Sequence, residues 1–293
     1  MMDVMKLQAY GKINLSLDVL RQRPDGYHDV RMIMQTVKLH DNIDLYCTRE
    51  PGIVLHTNLS FLPVNENNLM YKAAKLLMDE FSIREGIRLE LRKVIPVSAG
   101  MAGGSTDAAS VLYGINQMFR LGLNKQELKE RGVLLGADVP FCLMRGTALS
   151  EGIGEILTPL KKLPPCQIVL AKPAISVSTK FVYTNLHVSE LPAEAHPDVD
   201  RVIEALEQEN LEAVAANAGN ILETVTCRQY PGIEKIKQRM EEMGALKAMM
   251  SGSGPTVFGI FTDPELAKCC CDSFRTGPDR ELAKQVYLTE PWR

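Results

Sequence analysis

One segment in the middle of the chain restricts the fold most strongly, because it joins a strand pattern to a helix pattern through glycines. Residues 87–95 alternate apolar and charged side chains, which predicts a strand with one exposed face. Residues 106–119 carry apolar side chains at helical spacing, which predicts an amphipathic helix. The glycine-rich stretch 96–106 connects the two. A strand, a glycine loop and a helix in this order predict a mixed fold with a ligand-binding loop.

The glycine loop has the features of a phosphate site. Gly100, Gly103 and Gly104 let the backbone approach a ligand closely and adopt positive φ. The following helix offers unpaired amides and the positive end of its dipole, and Ser105 and Thr106 add hydroxyl groups for phosphate oxygens or a metal. The alternative is a tight turn in which the glycines only permit packing. The segment matches neither G-x-x-x-x-G-K-[ST] nor G-x-G-x-x-G, which excludes the two commonest nucleotide loops.

The rest of the chain reads as a strand-rich beginning and a mixed second part. Patterning predicts strands at 6–10, 13–20, 30–39, 43–47 and 53–56, helices at 69–81 and 125–135, and a strand region near 142–149. The Lys-Lys-Leu-Pro-Pro sequence at 161–165 predicts a boundary between domains 1–160 and 161–293. The second domain has predicted strands at 168–171, 246–250 and 257–261, and predicted helices at 199–206, after Pro231 and from Asp263.

Composition excludes several classes of protein. With 45% hydrophobic and 24% charged residues, and no apolar stretch long enough to cross a membrane, the chain of 293 residues is expected to be soluble. Its first residues, MMDVMKLQAYGKINL, lack the pattern of a secretion signal, so a cytoplasmic location is expected. A net charge of -3 with scattered basic residues disfavours a nucleic-acid partner.

The cysteines are expected to be reduced. There are seven, an odd number, at irregular spacings and without a C-x-x-C pair. Three are consecutive at 269–271, where Leu266, Cys269, Cys270 and Phe274 are predicted to form one apolar helix face. Packing, rather than metal binding, is the predicted role of this group.

Two charged residues within apolar sequence are candidate catalytic groups. Lys12 lies in Gly-Lys-Ile-Asn-Leu on an early strand, and Asp138 lies in Gly-Ala-Asp-Val-Pro-Phe. The plain alternatives are that Lys12 points to solvent and that Asp138 caps a helix or turn. If the two converge on a hydroxyl group, the lysine can offset negative charge on a transferring phosphoryl group.

Taken whole, the glycine loop resembles the ATP loop of the galactokinase, homoserine kinase, mevalonate kinase and phosphomevalonate kinase (GHMP) superfamily, usually Pro-x-x-x-Gly-Leu-Gly-Ser-Ser. Met101 stands for the leucine and Ala102 for a glycine. Alanine admits fewer backbone angles than glycine. The sequence SGSGPTV at 251–257, by itself a glycine hairpin, matches the closing signature of the superfamily. With GKINL at 11–15, RPDGYH at 23–28 and GADVPF at 136–141, the set resembles the 4-diphosphocytidyl-2-C-methyl-D-erythritol kinase family over nearly the whole chain.

The resemblance implies an α+β, two-domain GHMP-kinase fold, with an N-terminal domain like domain 2 of ribosomal protein S5 and a C-terminal α/β sandwich domain. It also implies transfer of the γ-phosphoryl group of ATP, with Mg²⁺, to the 2-hydroxyl of 4-diphosphocytidyl-2-C-methyl-D-erythritol in the non-mevalonate isoprenoid route. The implied partner is this small cytidine diphosphate substrate, with no nucleic acid and no membrane. Neither the sequence nor the resemblance predicts an oligomeric state.

The resemblance also assigns roles to individual residues. Lys12 and Asp138 are the implied catalytic pair, and Ser105 is the implied protein ligand of the metal. Asn14, Tyr27 and His28 are implied to bind the cytidine end, although Tyr27 and His28 also fit an ordinary strand entry after a turn. The implied ATP-binding residues are Pro96, Val97, Ser98, Ala99, Gly100, Met101, Ala102, Gly103, Gly104, Ser105 and Thr106, with Asn68 and Lys93 nearby.

Two other classes of function compete with a kinase. The first is a non-catalytic RNA-binding module, since the implied N-terminal fold also occurs in a ribosomal protein; the acidic balance disfavours it. The second is a catalytically inactive nucleotide sensor, which is disfavoured because the loop, Lys12 and Asp138 are all present together. An ATP turnover assay separates these cases.

Overall fold

The chain begins with two long paired strands. The computed structural model describes residues 4–293, so the first three residues of MMDVMKLQAYGKINL, the segment on which the expected location rests, lie outside the described part. Strand β1 (Val4–Gln22) pairs with β2 (His28–Thr48). Four of the predicted strands are therefore parts of two continuous ones, because polar or glycine residues at 11–12 in β1 and 40–42 in β2 interrupt the apolar pattern without ending the strand.

The chain divides into two compact units, each built from separate stretches of sequence. Unit 1 comprises the described residues up to Gly11 together with Leu39–Val97 and Ala102–Arg145. Unit 2 comprises Lys12–Lys38, Ser98–Met101 and Gly146–Arg293. These units do not test the predicted domain division after residue 160, which stays a prediction.

Unit 1 places helices on one face of a small sheet. Its remaining elements are β3 (Ile53–Thr57), α1 (Leu69–Glu80), β4 (Gly86–Arg92), α2 (Gly103–Met118), α3 (Lys125–Val133) and α4 (Val139–Met144). Strand β4 pairs antiparallel with the second half of β2 and parallel with β3. Alternate residues of the strands, such as Ile43, Leu45 and Leu89, are fully buried beneath α1 and α2. The sheet therefore fixes where α2 begins.

Unit 2 contains the first half of β2 and the remaining elements of the chain. These are β5 (Thr147–Gly152), β6 (Ile156–Pro159), β7 (Gln167–Lys172), α5 (Thr179–Thr184), α6 (Val199–Glu207), α7 (Leu211–Asn217), α8 (Glu223–Gln229), α9 (Gly232–Glu242), β8 (Lys247–Met250), β9 (Val257–Phe261), α10 (Pro264–Arg275) and β10 (Gln285–Thr289). Strand β5 pairs antiparallel with β2 and with β6. A second, antiparallel sheet has the order β10-β7-β9-β8. The mixture of helices and strands confirms the predicted α+β class.

The predicted strand near 142–149 is partly wrong. Cys142 lies in helix α4, and strand β5 begins only at Thr147. The apolar run in α4 is too short for its period to separate a helix from a strand, but Pro140 in its first turn favours a helix start. The sequence analysis also missed five other elements, α5, α7, α8, β6 and β10, none of them longer than seven residues.

The predicted cysteine face on α10 is displaced around the helix. Ala267, Cys270, Cys271 and Phe274 are buried, whereas Leu266 and Cys269 are exposed. Burial raises the pKa of the Cys270 thiol to about 12, which keeps the thiol protonated at neutral pH. The packing role predicted for the group fits these positions. Across residues 4–293, no helix is both long and apolar enough to cross a bilayer.

A close approach between α2 and the strands of unit 1 gives a stability prediction. A Cβ atom at Gly114 would lie 2.7 Å from Leu7 Cδ1 and 2.9 Å from Leu45 Cδ2. We expect Gly114→Val to lower the free energy of unfolding by about 1–3 kcal/mol, because the added carbons overpack this contact. Urea unfolding measures the change. The matched control is Tyr113→Val at the adjacent exposed position, expected to change stability by less than about 1 kcal/mol; equal urea midpoints for the two variants would contradict the prediction.

Candidate active site

The helical end of the glycine loop presents backbone amides. Helix α2 begins at Gly103, three residues earlier than predicted, so Gly103, Gly104 and Ser105 form its first turn. Thr106 donates its amide to the carbonyl oxygen of Ala102, which starts the ladder of the helix. The amides before Thr106 take no part in that ladder and point out of the helix, where the dipole favours an anion. This end of the loop is therefore suited to a phosphate group.

Ala102 carries the backbone conformation that enters the helix. It lies in the left-handed region, with φ 54° and ψ 29°. Left-handed backbone costs a residue with a Cβ roughly 1–2 kcal/mol, and glycine adopts it freely. Ala102 is therefore a strained residue at the entrance of α2.

Beneath the first turn of α2 lies a buried cluster of three charged groups. The ammonium nitrogen of Lys93 is 2.5 Å from Asp41 Oδ2 and 2.7 Å from Asp107 Oδ2. Asp41 Oδ1 also accepts hydrogen bonds from the amides of Val94 and Ile95. A Cβ at Gly103 would lie 2.8 Å from Lys93 Nζ. The cluster therefore joins the end of β4 to the start of α2.

With both carboxyl groups ionised, the two negative charges would exceed the one positive charge of Lys93, and the buried cluster would carry a net negative charge. Burial, opposed by the charge of Lys93, raises the pKa of the Asp107 carboxyl to about 8. Burial alone would lower the pKa of Lys93, but Asp107 and Asp41 outweigh it and raise that pKa. Among the described residues, Asp107 Oδ1 has no hydrogen-bond partner. Asp107 is accordingly the group that takes up the neutralising proton, leaving a Lys93–Asp41 ion pair.

In unit 2, Lys12 is buried rather than solvent-facing. It is 5% exposed, and its Nζ donates to Asn14 Oδ1 at 2.7 Å. The Lys12 amide donates to the carbonyl oxygen of Met101 at 3.2 Å. Asn14 is fully buried and donates from Nδ2 to the sulfur of Met32. The early strand thus holds Lys12 and Asn14 beside the 98–101 part of the glycine loop, and the solvent-facing alternative for Lys12 is wrong.

The closing glycine motif lies against the same part of the loop. Residues 251–254 lie in the connection from β8 to β9, and Ser251 Oγ donates to the carbonyl oxygen of Gly100 at 2.9 Å. Gly100 has φ +74°, and a Cβ on it would overlap the carbonyl oxygen of Ser251. Glycine at this position is required both by its backbone angle and by this contact.

Asp138 occupies the N-cap position of α4, but its side chain makes no capping hydrogen bond. The simple capping alternative therefore does not account for it. Two residues earlier, a Cβ on Gly136 would lie 4.0 Å from Ser105 Oγ, so this segment of unit 1 runs beside the first turn of α2. Lys12 belongs to unit 2 and Asp138 to unit 1. Their predicted pairing stays a prediction.

Of the three residues predicted for cytidine, Asn14 lies beside Lys12, whereas Tyr27 and His28 lie at the turn between β1 and β2. Tyr27 is 59% exposed, and a turn closed by Arg23 and Asp25 holds its backbone. The ring of His28 packs against that of Tyr183 on α5, with ring centroids 5.1 Å apart. Burial lowers the pKa of His28, which leaves the imidazole neutral at pH 7. Sequence reasoning missed Tyr183, because a six-residue helix has no measurable period; the Ser178 cap is its main local signal.

Asn68 and the remaining loop residues have identifiable structural contacts. Asn68 caps α1 by accepting from the amide of Met70, and its Nδ2 donates to the carbonyl oxygen of Pro63. Pro96, Ala99, Met101 and Thr106 are buried, Ser98 is exposed, and Val97, Gly104 and Ser105 retain some exposure. Within residues 4–293, no group of three or more His, Cys, Asp or Glu side chains is arranged to hold a metal.

Comparison with known proteins identifies the family. The family described as GHMP kinases N terminal domain matches residues 68–146, and the family described as GHMP kinases C terminal matches residues 191–275. A protein of Lachnoclostridium phytofermentans named 4-diphosphocytidyl-2-C-methyl-D-erythritol kinase is 51% identical over 98% of this chain and 97% of its own length. One of the same name from Lachnospira eligens is 52% identical over 99% of both chains. The chain belongs to the 4-diphosphocytidyl-2-C-methyl-D-erythritol kinase family.

Solved structures agree with this membership in the kinase family. A crystal structure of 4-(cytidine 5'-diphospho)-2C-methyl-D-erythritol kinase superposes with a TM-score of 0.81 and 30% identity, covering 99% of this chain and all of that one. Homoserine kinase from Cytophaga hutchinsonii shares the fold, with a TM-score of 0.80, 21% identity and coverage of 99% and 95%. The expected GHMP-kinase fold is confirmed.

The protonated state of Asp107 gives a prediction about stability and pH. Because the pKa of Asp107 is raised on folding, the folded chain binds the proton more tightly than the unfolded chain, and that contribution is lost as the pH rises towards about 8. Asp107→Asn keeps the shape without titrating. We expect the stability of the wild type relative to this variant to be greatest near pH 5 and to shrink towards pH 8, as measured by thermal unfolding across that range. Asp263→Asn, at an exposed helix cap, is the control; a difference between wild type and Asp107→Asn that does not vary with pH would refute the assignment.

Proposed function

We propose that the protein transfers the γ-phosphoryl group of ATP to the 2-hydroxyl of 4-diphosphocytidyl-2-C-methyl-D-erythritol, a step of the non-mevalonate route to isoprenoids. The observation that carries this proposal is that proteins bearing the name of this kinase share about half of their residues with the chain over its whole length. The expected cytoplasmic location accompanies the pathway and is part of the proposal.

The glycine loop is proposed to hold the ATP phosphates with main-chain groups. Both the 98–101 part of the loop and its helical end, from Gly103, support this proposal. The first-turn amides of α2 and the hydroxyl of Ser105 are suited to phosphate oxygens, and Gly100 keeps the other part free of side-chain bulk. Because phosphoryl transfer has a loose transition state, holding the phosphate in place supplies much of the rate acceleration.

Lys12 and Asp138 are proposed to act on the acceptor hydroxyl. Asp138 would orient the hydroxyl and accept its proton, while the ammonium of Lys12 would offset negative charge on the transferring group. The burial of Lys12 supports this role, since a buried ammonium acts through a low dielectric. Its hydrogen bond to Asn14 fixes the direction of the ammonium group.

A magnesium ion fits the site only as a phosphate-bound ion. Ser105 offers one hydroxyl oxygen, and the described residues contain no cluster of metal-binding side chains. Magnesium usually keeps several waters and binds through substrate phosphates, so a single hydroxyl ligand is compatible with it. When bound, the ion would neutralise phosphate charge; the role of Ser105 is to orient it.

Tyr27, His28 and Tyr183 are proposed to read the cytosine ring. Tyr27 offers an exposed aromatic face for stacking, and Tyr183 lies against the neutral imidazole of His28. A neutral imidazole has one donor and one acceptor nitrogen, which lets it recognise a polar base edge.

Lys93 is proposed to position the start of α2, because its ammonium is held between Asp41 and Asp107. Asn68 is proposed to shape the adjoining end of α1.

The proposed role of Asp138 predicts a selective loss of turnover. Asp138→Asn preserves size but removes the proton acceptor, so we expect kcat to fall by about 10²-fold or more with ATP affinity within about twofold. Steady-state kinetics and calorimetric ATP titration measure the two quantities. The matched control is Asp263→Asn, the same change at another helix N-cap, which should leave both unchanged. Near-normal turnover of Asp138→Asn would exclude Asp138 from the chemical step.

The proposed function is tested by a panel of acceptor alcohols with purified protein, ATP and magnesium. We expect 4-diphosphocytidyl-2-C-methyl-D-erythritol to be phosphorylated and homoserine and mevalonate not to be. The uridine analogue should react with a kcat/KM lower by about tenfold or more, because it presents a carbonyl oxygen where cytosine presents an amino group. Phosphate transfer to no member of the panel refutes the function, whereas equal rates for the cytidine and uridine compounds refute only the base reading.

A further inference from the structure

The side chain of Asn220, between α7 and α8, binds the start of the 251–254 loop, called the closing glycine loop below. Its Nδ2 donates to the carbonyl oxygens of Met250 at 2.9 Å and Gly252 at 2.8 Å. Its Oδ1 accepts from the amide of Leu222 at 3.0 Å. The side chain is buried, at 7% exposure, so each polar atom of this amide is used inside the protein.

The backbone around Asn220 is fixed to the strand that carries Lys12 and Asn14. Leu17 of β1 donates its amide to the carbonyl oxygen of Gly219 at 2.9 Å, and Ile221 donates to the carbonyl oxygen of Leu17 at 3.0 Å. Asn220 and Leu17 thereby form an isolated parallel bridge. The backbone of Asn220 is consequently held by β1, while its side-chain amide holds the 251–254 loop.

Glu223 binds the same end of the loop through the backbone amide of Met250. Its Oε1 accepts from the amide of Met250 at 2.6 Å, while its Oε2 is 2.7 Å from Lys237 Nζ. Asn220 and Glu223 thus bind the carbonyl and the amide of one residue at the end of β8. Met250 is fully buried, so the loop leaves β8 from a fixed point.

From that point the loop reaches both the glycine loop and the buried Lys12–Asn14 pair. A Cβ on Gly252 would lie 3.2 Å from the carbonyl oxygen of Gly100 and 3.4 Å from Asn14 Oδ1. Asn14 Oδ1 is the acceptor for Lys12 Nζ. A displacement of Gly252 is therefore transmitted directly to the group that orients the Lys12 ammonium.

We propose that Asn220 is a positioning residue for phosphoryl transfer, which sets the 251–254 loop against Gly100 and Asn14 and so fixes the Lys12 ammonium. This inference rests on the proposed function for its kinetic consequences. Asparagine is the residue that meets the requirement, since it donates two hydrogen bonds and accepts one at this length. Aspartate has nearly the same shape, but its carboxylate turns an acceptor towards two carbonyl oxygens.

The experiment compares Asn220→Asp with the wild type in kinetics, ATP titration and amide hydrogen exchange. At pH 8 we expect kcat to fall by about 10- to 100-fold with the KM for ATP changed by less than about threefold, because the reacting groups are displaced more than the nucleotide. Near pH 6 the deficit relative to the wild type should shrink, because a carboxyl facing carbonyl oxygens has a raised pKa and can donate once protonated. Glu223 and Lys237 are charged groups that adjoin the same loop, and both are present in the wild type and the variant.

Asn217→Asp is the matched control. Its Nδ2 also donates to a backbone carbonyl, that of Ala213 within α7, but it makes no described contact with the loop. It should leave kcat within about twofold of the wild type, as expected for a residue away from the site. Amide exchange should accelerate at 98–101 and 250–256 in Asn220→Asp and remain unchanged there in Asn217→Asp.

Each outcome decides between the inference and its alternatives. If Asn220→Asp keeps its fold with kcat, its pH profile and loop exchange equal to the wild type, the positioning role is wrong. If Asn220→Asp does not fold, Asn220→Ser, which donates a single hydrogen bond, takes its place, and unfolding of both variants would assign Asn220 to stability alone. If the wild type phosphorylates no acceptor, the proposed function fails, while accelerated loop exchange in the variant still supports the binding of the closing glycine loop by Asn220 and unchanged exchange refutes it.

Discussion

The contact between two glycine-containing loops is the constraint on which the rest of the site depends. Gly100 and Ser251 approach so closely that no side chain fits between them, and Ser251 Oγ bonds the Gly100 carbonyl. Segments more than a hundred residues apart must meet there with their backbones almost touching. Strand β1 on one side, and Asn220 with Glu223 on the other, hold the meeting point in register. Hydrogen bonds to main-chain atoms, rather than apolar packing, set this geometry.

The buried charges of unit 1 also fix the position of a backbone segment. Lys93, Asp41 and Asp107 are costly to bury, and replacing such a group by apolar side chains is often no loss to stability. What they provide is a fixed length and direction between the end of β4 and the first turn of α2. The start of that helix is where the amides for an anion lie. The free energy spent on burying these charges therefore fixes the position of the N-terminal end of α2.

Sequence reasoning predicted the longer elements and the family, and it failed where local patterns are short. Patterning predicted helices α1 and α3 to within two residues, and in the structure an Asn124–Glu127 capping box begins α3. Cys142 was assigned to a strand because six apolar residues have no decisive period. Lys12 could be named from its motif, but its burial and its bond to Asn14 depend on tertiary contacts. Tyr183, whose helix is marked in the sequence only by its Ser178 cap, and Asn220 were missed because their contacts are with residues distant in sequence.

The spacing of Asn220 and Glu223 has a consequence for how the chain tolerates change in length. The two side chains bind opposite polar groups of Met250 from positions three apart at the entrance of α8. A turn closed by the hydrogen bond from the Glu223 amide to the Asn220 carbonyl oxygen links the two positions, so one residue inserted between them opens the turn and moves one side chain away from Met250. We therefore expect an inserted residue here to disturb the site, whereas the exposed positions 192–194 leave room for one.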